Sequence, residues 1–480
     1  MRIMHVASEL APFAKTGGLG DVLAGLPPAL AARGHEVVVV LPRYRHIGQR
    51  GLDAALARRL RRFPVHLGPE TIEVELWEGP LGASQQCRVW LVDHPASFDR
   101  DGMYGPPTGG DWPDNARRFA LLCKAALEIA DQLDWWPDVV HAHDWQTGPA
   151  MVYAKTPPEH RLRPRRVFTV HNLVFQGYFP PTVIEELGLP RSGFGLDGYE
   201  FYGQVNFLKA GLTYAEHVTT VSPRYAREIL GRDTGHGLDG LLRALGPRLS
   251  GVLNGIDERV WSPAHDPYLA RTYDAGTLWE KKRAKEALQR EVGLSQRADL
   301  PLVGMVARLT AQKGIDLVAR TLPRVLKDGL QVVVLGTGEP ALEAEMTKLA
   351  DAHPERVRVR IGFDEGLAHR ITAGADLFLM PSLFEPCGLN QLYAMAYGTP
   401  PIVRAVGGLD DSVVDYDGES GSGTGFKFAA STDVALEAAL RRAMLVFQDT
   451  NAFSALQRRA MSQDLSWRLP AAAYERIYRG

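Results

Sequence analysis

A chain of 480 residues divides, at roughly 150 residues per domain, into two or three compact units. Its 45% hydrophobic and 23% charged residues supply more than one core and exclude an intrinsically disordered chain. Lys+Arg (54) nearly balances Asp+Glu (56), a formal charge of −2, so the basic excess behind non-specific nucleic-acid binding is missing. No apolar run approaches the roughly 18 residues of a membrane span. Cys87, Cys123 and Cys387 are too scattered for a disulfide framework or a four-cysteine zinc site. A strand-like pattern begins at once at Met1–His5, with no separate apolar leader. The default expectation is a cytoplasmic protein with neither nucleic acid nor membrane as partner; the oligomeric state is left open.

In chain order, strands are predicted at Ile3–Ala7, Val37–Leu41, Val89–Val92, Val139–His141, Val167–Val170 and Val218–Val221. They continue at Leu302–Ala307, Gln331–Leu335, Val357–Ile361, Leu377–Met380 and Pro401–Arg404. Many are nearly all apolar, as strands buried on both faces of a parallel sheet are. Amphipathic stretches lie between them, among them Val22–Arg33, Ala116–Leu133, Trp279–Glu291 and Ala341–Ala352. This alternation predicts an α/β protein with right-handed crossovers. Beyond about ten strands an open sheet rarely stays single, so two doubly wound sheets of five or six strands each are expected. The turn signal Asn254-Gly255-Ile256-Asp257 divides them into 1–253 and 254 onward. Ligands of such sheets sit beyond the carboxyl ends of the strands, which would place the chemistry in a cleft between the two domains.

The loops at those strand ends carry the candidate chemistry. Lys15-Thr16-Gly17-Gly18-Leu19-Gly20-Asp21 places glycines after a strand and before a helix, where backbone N–H groups can approach an anion. It is neither GxGxxG nor a Walker sequence, and a plain glycine turn is the alternative; Lys15 beside the glycines favours phosphate. His141-Ala142-His143-Asp144-Trp145 has the look of a metal motif, but the other histidines are isolated. It can also cap the following helix, and the favoured reading has Asp144 and Trp145 offering an acceptor and an aromatic face to a sugar. His171-Asn172 and Gln176-Gly177 follow the next strand on the same rim, and His171 could donate or accept at a sugar hydroxyl.

In the second half, Arg308-Leu309-Thr310-Ala311-Gln312-Lys313-Gly314 sets two cations just past a buried strand. A planar guanidinium and a point-charge ammonium suit a diphosphate; a solvated surface pair is the alternative. Phe384-Glu385-Pro386-Cys387-Gly388-Leu389-Asn390-Gln391 puts a carboxylate and then free backbone N–H groups at a helix start. A nucleophilic Cys387 is the rival, disfavoured because buried small thiols are commoner than reactive ones and no Cys/His pairing is legible.

Together these segments resemble the bacterial glycogen synthase and plant starch synthase family of retaining glucosyltransferases. The carriers are Lys15–Asp21, His141–Trp145, His171–Gly177, Asn254–Asp257, Arg308–Gly314 and Glu385–Leu389, in the family's order along nearly the whole chain. Later matches are Gln391-Leu392-Tyr393, Gly407-Gly408-Leu409, and Ser466-Trp467 with Tyr474. The resemblance implies the GT-B architecture: two Rossmann-like doubly wound parallel-sheet domains facing a deep interdomain cleft. Residues 254–461 would bind the nucleotide sugar, and a last helix, 462–480, would cross back to the first domain.

It further implies ADP-glucose as donor and the non-reducing 4-OH of an α-1,4-glucan, glycogen, as acceptor, with retention. A relative using UDP- or GDP-glucose or another acceptor is the alternative. Arg308 and Lys313 would neutralise the departing diphosphate, and Lys15 with the Gly17 and Gly18 backbone would close on it from the other domain. The amides of Cys387, Gly388 and Leu389 would hold phosphate or glucose hydroxyls. Glu385 and His171 would fix the glucose ring, with Asn254 and Asp144 near the sugars. The adjoining Asp410-Asp411 in a Gly-Gly-Leu turn is no DxD metal site, and fixed cations suffice, so no cofactor or metal is expected. The chain departs from the family's pattern at Asn390 (usually Thr), Phe363 (often Tyr, stacking on adenine), Gly20 (usually Ala) and Pro400-Pro401.

Overall fold

The structure, a computed structural model, describes residues 1–57 and 62–480 in full and residues 58–61 by their backbone. It consists of two compact units, Met1–Gly255 with Trp467–Gly480, and Ile256–Ser466.

The strands of the first unit are β1 (Arg2–Val6), β2 (Glu36–Pro42), β3 (Ala57–Leu67), β4 (Glu70–Pro80), β5 (Cys87–Asp93), β6 (Val139–His143) and β7 (Arg165–Val170). They are followed by β8 (Tyr178–Phe179), β9 (Glu200–Phe201), β10 (Gln204–Asn206), β11 (His217–Thr220) and β12 (Leu249–Gly251). The main sheet has nine strands in the order β12-β11-β7-β6-β1-β2-β5-β4-β3, and β8, β10 and β9 form a small separate one. From β12 to β5 the pairing is parallel; β4 runs antiparallel to both β5 and β3.

Nine strands exceed the expected five or six because that count rested on near-continuous apolar runs. The β3–β4 hairpin is a one-sided edge: in β4, Ile72, Val74 and Leu76 are buried while Glu73 between them is exposed. Such alternation marks a strand with one solvated face. The closing helix starts at Arg468, later than the expected 462, and the chain up to Ser466 belongs to the second unit. It buries Ala471, Tyr474 and Tyr478 at helical spacing in the first unit's core, and Glu475 accepts from Arg33 Nε at 2.8 Å.

In the second unit, β13 (Leu302–Val306), β14 (Gln331–Gly336), β15 (Val357–Ile361), β16 (Leu377–Met380), β17 (Pro401–Arg404) and β18 (Phe426–Phe428) form one parallel sheet. Its order is β15-β14-β13-β16-β17-β18. The helix Ile315–Val325 buries Ile315, Val318, Leu322 and Val325 on one stripe against this sheet's core.

Both sheets reverse direction once. In the first unit the connection from β1 runs outward to β2, while β6 pairs on the other side of β1; in the second, β14 and β16 flank β13. At such switch points the loops leaving adjacent strands diverge and open a crevice at the carboxyl ends. The loops after β1, β6 and β7, and those after β13 and β16, are the ones that carry the candidate motifs. Among the described residues, no helix is long and apolar enough to cross a membrane.

Candidate active site

At the first unit's switch point the Lys15–Asp21 loop is held by a residue the sequence reading passed over. Glu9, 5% exposed, accepts from the Thr16 N–H (2.8 Å), the Gly17 N–H (3.0 Å), the Thr16 hydroxyl (2.6 Å) and the Tyr104 hydroxyl (2.8 Å). The Gly17 amide is therefore committed to Glu9, which corrects its expected place on a phosphate. Gly18 opens the helix Gly18–Ala31, and Lys15 Nζ pairs with Asp21 Oδ1 at 2.6 Å, partly exposed. A carboxylate, Glu9, directly before the apolar stretch Leu10–Ala14 was the available signal, because buried charges have partners.

After β6, Asp144 takes φ 59 and ψ 179, a backbone region that is nearly glycine-only. Its Oδ1 accepts the His171 N–H at 2.7 Å, tying the ends of β6 and β7 together. Loss of water pushes the Asp144 carboxyl up to about 7, against the backbone N–H groups of His171 and Asn172 that favour its charge. His171 is half-buried, and burial pushes its pKa down to about 3. Asn254, past β12, is 6% exposed and its Oδ1 has no partner. Trp145 corrects the expected aromatic platform. It is 8% exposed, with Phe119 edge-on at 5.4 Å and Phe179 at 5.8 Å. Gly177, at φ +67, lies so close that a Cβ there would sit 2.4 Å from the indole. The ring is a core element with no open face for sugar.

His5, His141 and His143 bring ligand atoms within 4.8 Å of one another, reopening the metal reading of this segment. Hydrogen bonds occupy five of the six ring nitrogens, all but His5 Nε2. Both nitrogens of His141 are committed, Nδ1 to the Tyr478 hydroxyl (2.7 Å) and Nε2 to the Thr169 hydroxyl (2.6 Å), and His5 Nδ1 faces His143 Nε2 at 3.0 Å.

In the second unit, Arg308 is exposed past the end of β13, and its guanidinium makes no hydrogen bond or ion pair among the described residues. Lys313 closes the short 3-10 turn Ala311–Lys313, and Gly314 follows at φ +71. A Cβ on Gly314 would lie 2.4 Å from the Pro381 carbonyl, so glycine lets this turn approach the end of β16. That approach brings Lys313 Nζ to 2.6 Å from Glu385 Oε2, which also accepts from Ser382 Oγ at 2.9 Å. The Gly388 and Leu389 amides lead into the helix Asn390–Ala396 and make no hydrogen bond within the described residues. Cys387 is 6% exposed, in keeping with a structural thiol. Phe363, just past β15, is 85% exposed and offers a free aromatic face.

Two residues expected on substrate are spent elsewhere. Asn390 Nδ2 donates to the Val306 carbonyl at 2.6 Å, pinning the helix start to β13. Tyr393, 5% exposed, stacks on Trp261 at 3.7 Å and 6°, with His369 on the other face at 3.8 Å.

Two parallel-sheet units, each presenting polar loops at its switch point, one with a cation pair and free amides, define a GT-B glycosyltransferase. The starch synthase catalytic domain family matches residues 2–244, and the glycosyl transferases group 1 family matches residues 290–453. A glycogen synthase of Anaeromyxobacter dehalogenans (strain 2CP-C) is 51% identical over 100% of this chain and 99% of its own. One from Rhodospirillum rubrum is 45% identical over 100% and 98%. The catalytic domain of starch synthase IV from Arabidopsis thaliana, solved with ADP and acarbose, aligns with a TM-score of 0.89 at 34% identity, covering 99% of this chain and 98% of that one. A sucrose-phosphate synthase from Thermosynechococcus elongatus, 18% identical with a TM-score of 0.60 over 100% and 98%, shares the fold. The chain belongs to the bacterial glycogen synthase and plant starch synthase family of glycosyltransferases.

Proposed function

We propose that this chain elongates glycogen by transferring glucose from ADP-glucose to the non-reducing 4-OH of an α-1,4-glucan, with retention. The observation that carries the reading is the pairing of an uncommitted Arg308 with Lys313 on the loop that leaves β13, beside the open amides of Gly388 and Leu389. Cleaving an anomeric bond to a diphosphate leaves concentrated negative charge, and fixed cations with aimed N–H groups stabilise that charge as it forms. Lys313 is held on Glu385 until a phosphate competes for it. Phe363 supplies a flat apolar face for the adenine. His171, Asp144 and Asn254 serve the sugars, and Lys15 assists at the diphosphate.

Asp144 is committed to the His171 N–H, and Glu385 keeps Ser382 as a donor when Lys313 turns to a phosphate. That supports same-face internal return over the nucleophilic-carboxylate route of retaining glycosidases. The cations of the chain do the neutralising, so incorporation is expected to be unchanged by EDTA. Competition among ADP-, UDP- and GDP-glucose in one incorporation assay tests the donor. Preference for ADP-glucose is expected, and equal or greater incorporation from UDP-glucose overturns the assignment.

A further inference from the structure

His171, half-buried, is the outer end of a chain of imidazoles. His143 Nδ1 lies 3.1 Å from His171 Nε2, and His143 Nε2 lies 3.0 Å from His5 Nδ1. His5 and His143 are fully buried, on adjacent strands β1 and β6. Burial pushes His5 down to about 3 and holds His143 well below the ordinary imidazole range, with neighbouring imidazoles adding to it. All three rings are therefore neutral at neutral pH, each with one N–H and one bare nitrogen.

A chain of neutral imidazoles has only two polarities, and the buried end decides between them. His5 Nε2 is buried with no partner. If the proton sat there, a buried N–H would be orphaned; if it sits on Nδ1, only a lone pair is unfilled. Orphaned buried donors are rarer in folded proteins than under-satisfied acceptors, because an unmade N–H forfeits its full desolvation penalty. The proton of His5 thus belongs on Nδ1, donated to His143 Nε2. His143 then carries its own on Nδ1, donated to His171 Nε2, which leaves the His171 proton on the outer nitrogen.

We propose that His5 and His143 are positioning residues that lock His171 as an Nδ1–H donor, so that it gives a hydrogen bond to a sugar oxygen and does not serve as a base. The sugar-facing part rests on the assignment of His171 to the transferred glucose; the tautomer does not. Reversing His171 alone is blocked, because an N–H on its Nε2 would point at the N–H of His143.

Two-bond ¹H–¹⁵N correlation spectra of the full chain, labelled with ¹⁵N-histidine, read the tautomers directly. The expected pattern for His171 is a protonated Nδ1 and a bare Nε2, with the same for His143 and His5. His143→Leu should release His171 into a mixture of tautomers and lower kcat about tenfold, the loss of roughly one hydrogen bond, with KM for ADP-glucose little changed. His143→Asn places an amide N–H where Nδ1 was and should restore both tautomer and most of kcat. A His171 protonated on Nε2 in the wild-type protein overturns the proposal, and this holds even if His143→Leu fails to fold. So does an Asn variant no better than the Leu variant at equal stability. A wild-type kcat in His171→Ala would instead overturn the glucose-facing role, while the tautomer spectrum would still decide the relay.

Discussion

The main-chain N–H of His171 donates to Asp144 Oδ1 at 2.7 Å, and Asp144 is itself the residue with the nearly glycine-only backbone at φ 59, ψ 179. One side chain thus joins the ends of two adjacent strands at the switch point while its own backbone is held under strain. Strain of this kind costs about 1–3 kcal/mol and persists where the surroundings over-determine it. It holds Asp144 and His171, the two groups proposed to serve the sugars, at a fixed separation.

The raised carboxyl of Asp144 has a signature in stability. Its folded pKa of about 7 lies above the ordinary aspartate value of 3.8, so the folded state holds the proton more tightly than the unfolded chain does. The contribution is full below about pH 4 and is lost as pH rises through 7. Urea midpoints of the wild type, measured against Asp144→Asn, should fall steadily from pH 4 to 7 and then level. Parallel profiles for the two proteins would show that the group is not raised.

Lys313 is predicted to act on turnover with little effect on folding. Its Nζ pairs with Glu385 at 2.6 Å, with side-chain exposures of 18% and 8%, so truncation leaves a carboxylate that still has Ser382 as donor. Lys313→Ala should lower kcat by about 10²–10³-fold, the scale for removing one preorganised charge stabiliser. Lys313→Arg should recover only part of it, because a planar fork does not reproduce a point charge. Near-normal turnover in the alanine variant, with an unchanged melting temperature, would exclude the diphosphate role.

The strand ends were legible from the sequence because buried parallel strands are nearly all apolar and the polar loops after them stand out. Arg308, Lys313 and Glu385 were found this way, and the structure sets the latter two in contact. Chain position does not say which way a side chain faces. Trp145, Tyr393 and Asn390 follow the right strands, yet two turn into the core and the third ties a helix to β13. Glu9 and His5 were missed for the converse reason. Each looks like an isolated polar residue in an apolar run, and only the pairing of β1 with β6 and the return of the Thr16–Gly17 loop show what it meets.

Gly314 is predicted to couple stability to activity. At φ +71 an L-residue is strained, and a Cβ would collide with the Pro381 carbonyl at 2.4 Å. Gly314→Ala should cost about 1–3 kcal/mol and shift the turn that carries Lys313 away from β16. A lowered melting temperature together with a kcat loss approaching that of Lys313→Ala is the expected outcome. A stable variant with full turnover would show that the close approach is dispensable.

Lys281 gives a pH dependence of opposite sign, far from the chemistry. It opens the helix Lys281–Val292, is 5% exposed, and donates to the Ala373 carbonyl and the Thr399 hydroxyl, both at 2.6 Å. The Tyr273 hydroxyl lies farther off, at 3.5 Å, so a neutral amine can spend its two N–H bonds on the two short contacts. Burial pushes its pKa from 10.5 down to about 7, opposed by the charge of Asp376 and aided by that of Lys285. The unfolded chain keeps the proton up to about pH 10, so the folded state gains stability as pH rises above 7 and loses it as pH falls back. Against Lys281→Met, in which the group cannot titrate, wild-type stability should climb between pH 7 and 9 by up to about 1.4 kcal/mol per unit. Chemical denaturation of both proteins across that range measures it. A difference between them that stays constant with pH would mean that the ammonium keeps its proton inside the fold, with the carbonyl and hydroxyl of Ala373 and Thr399 solvating the charge.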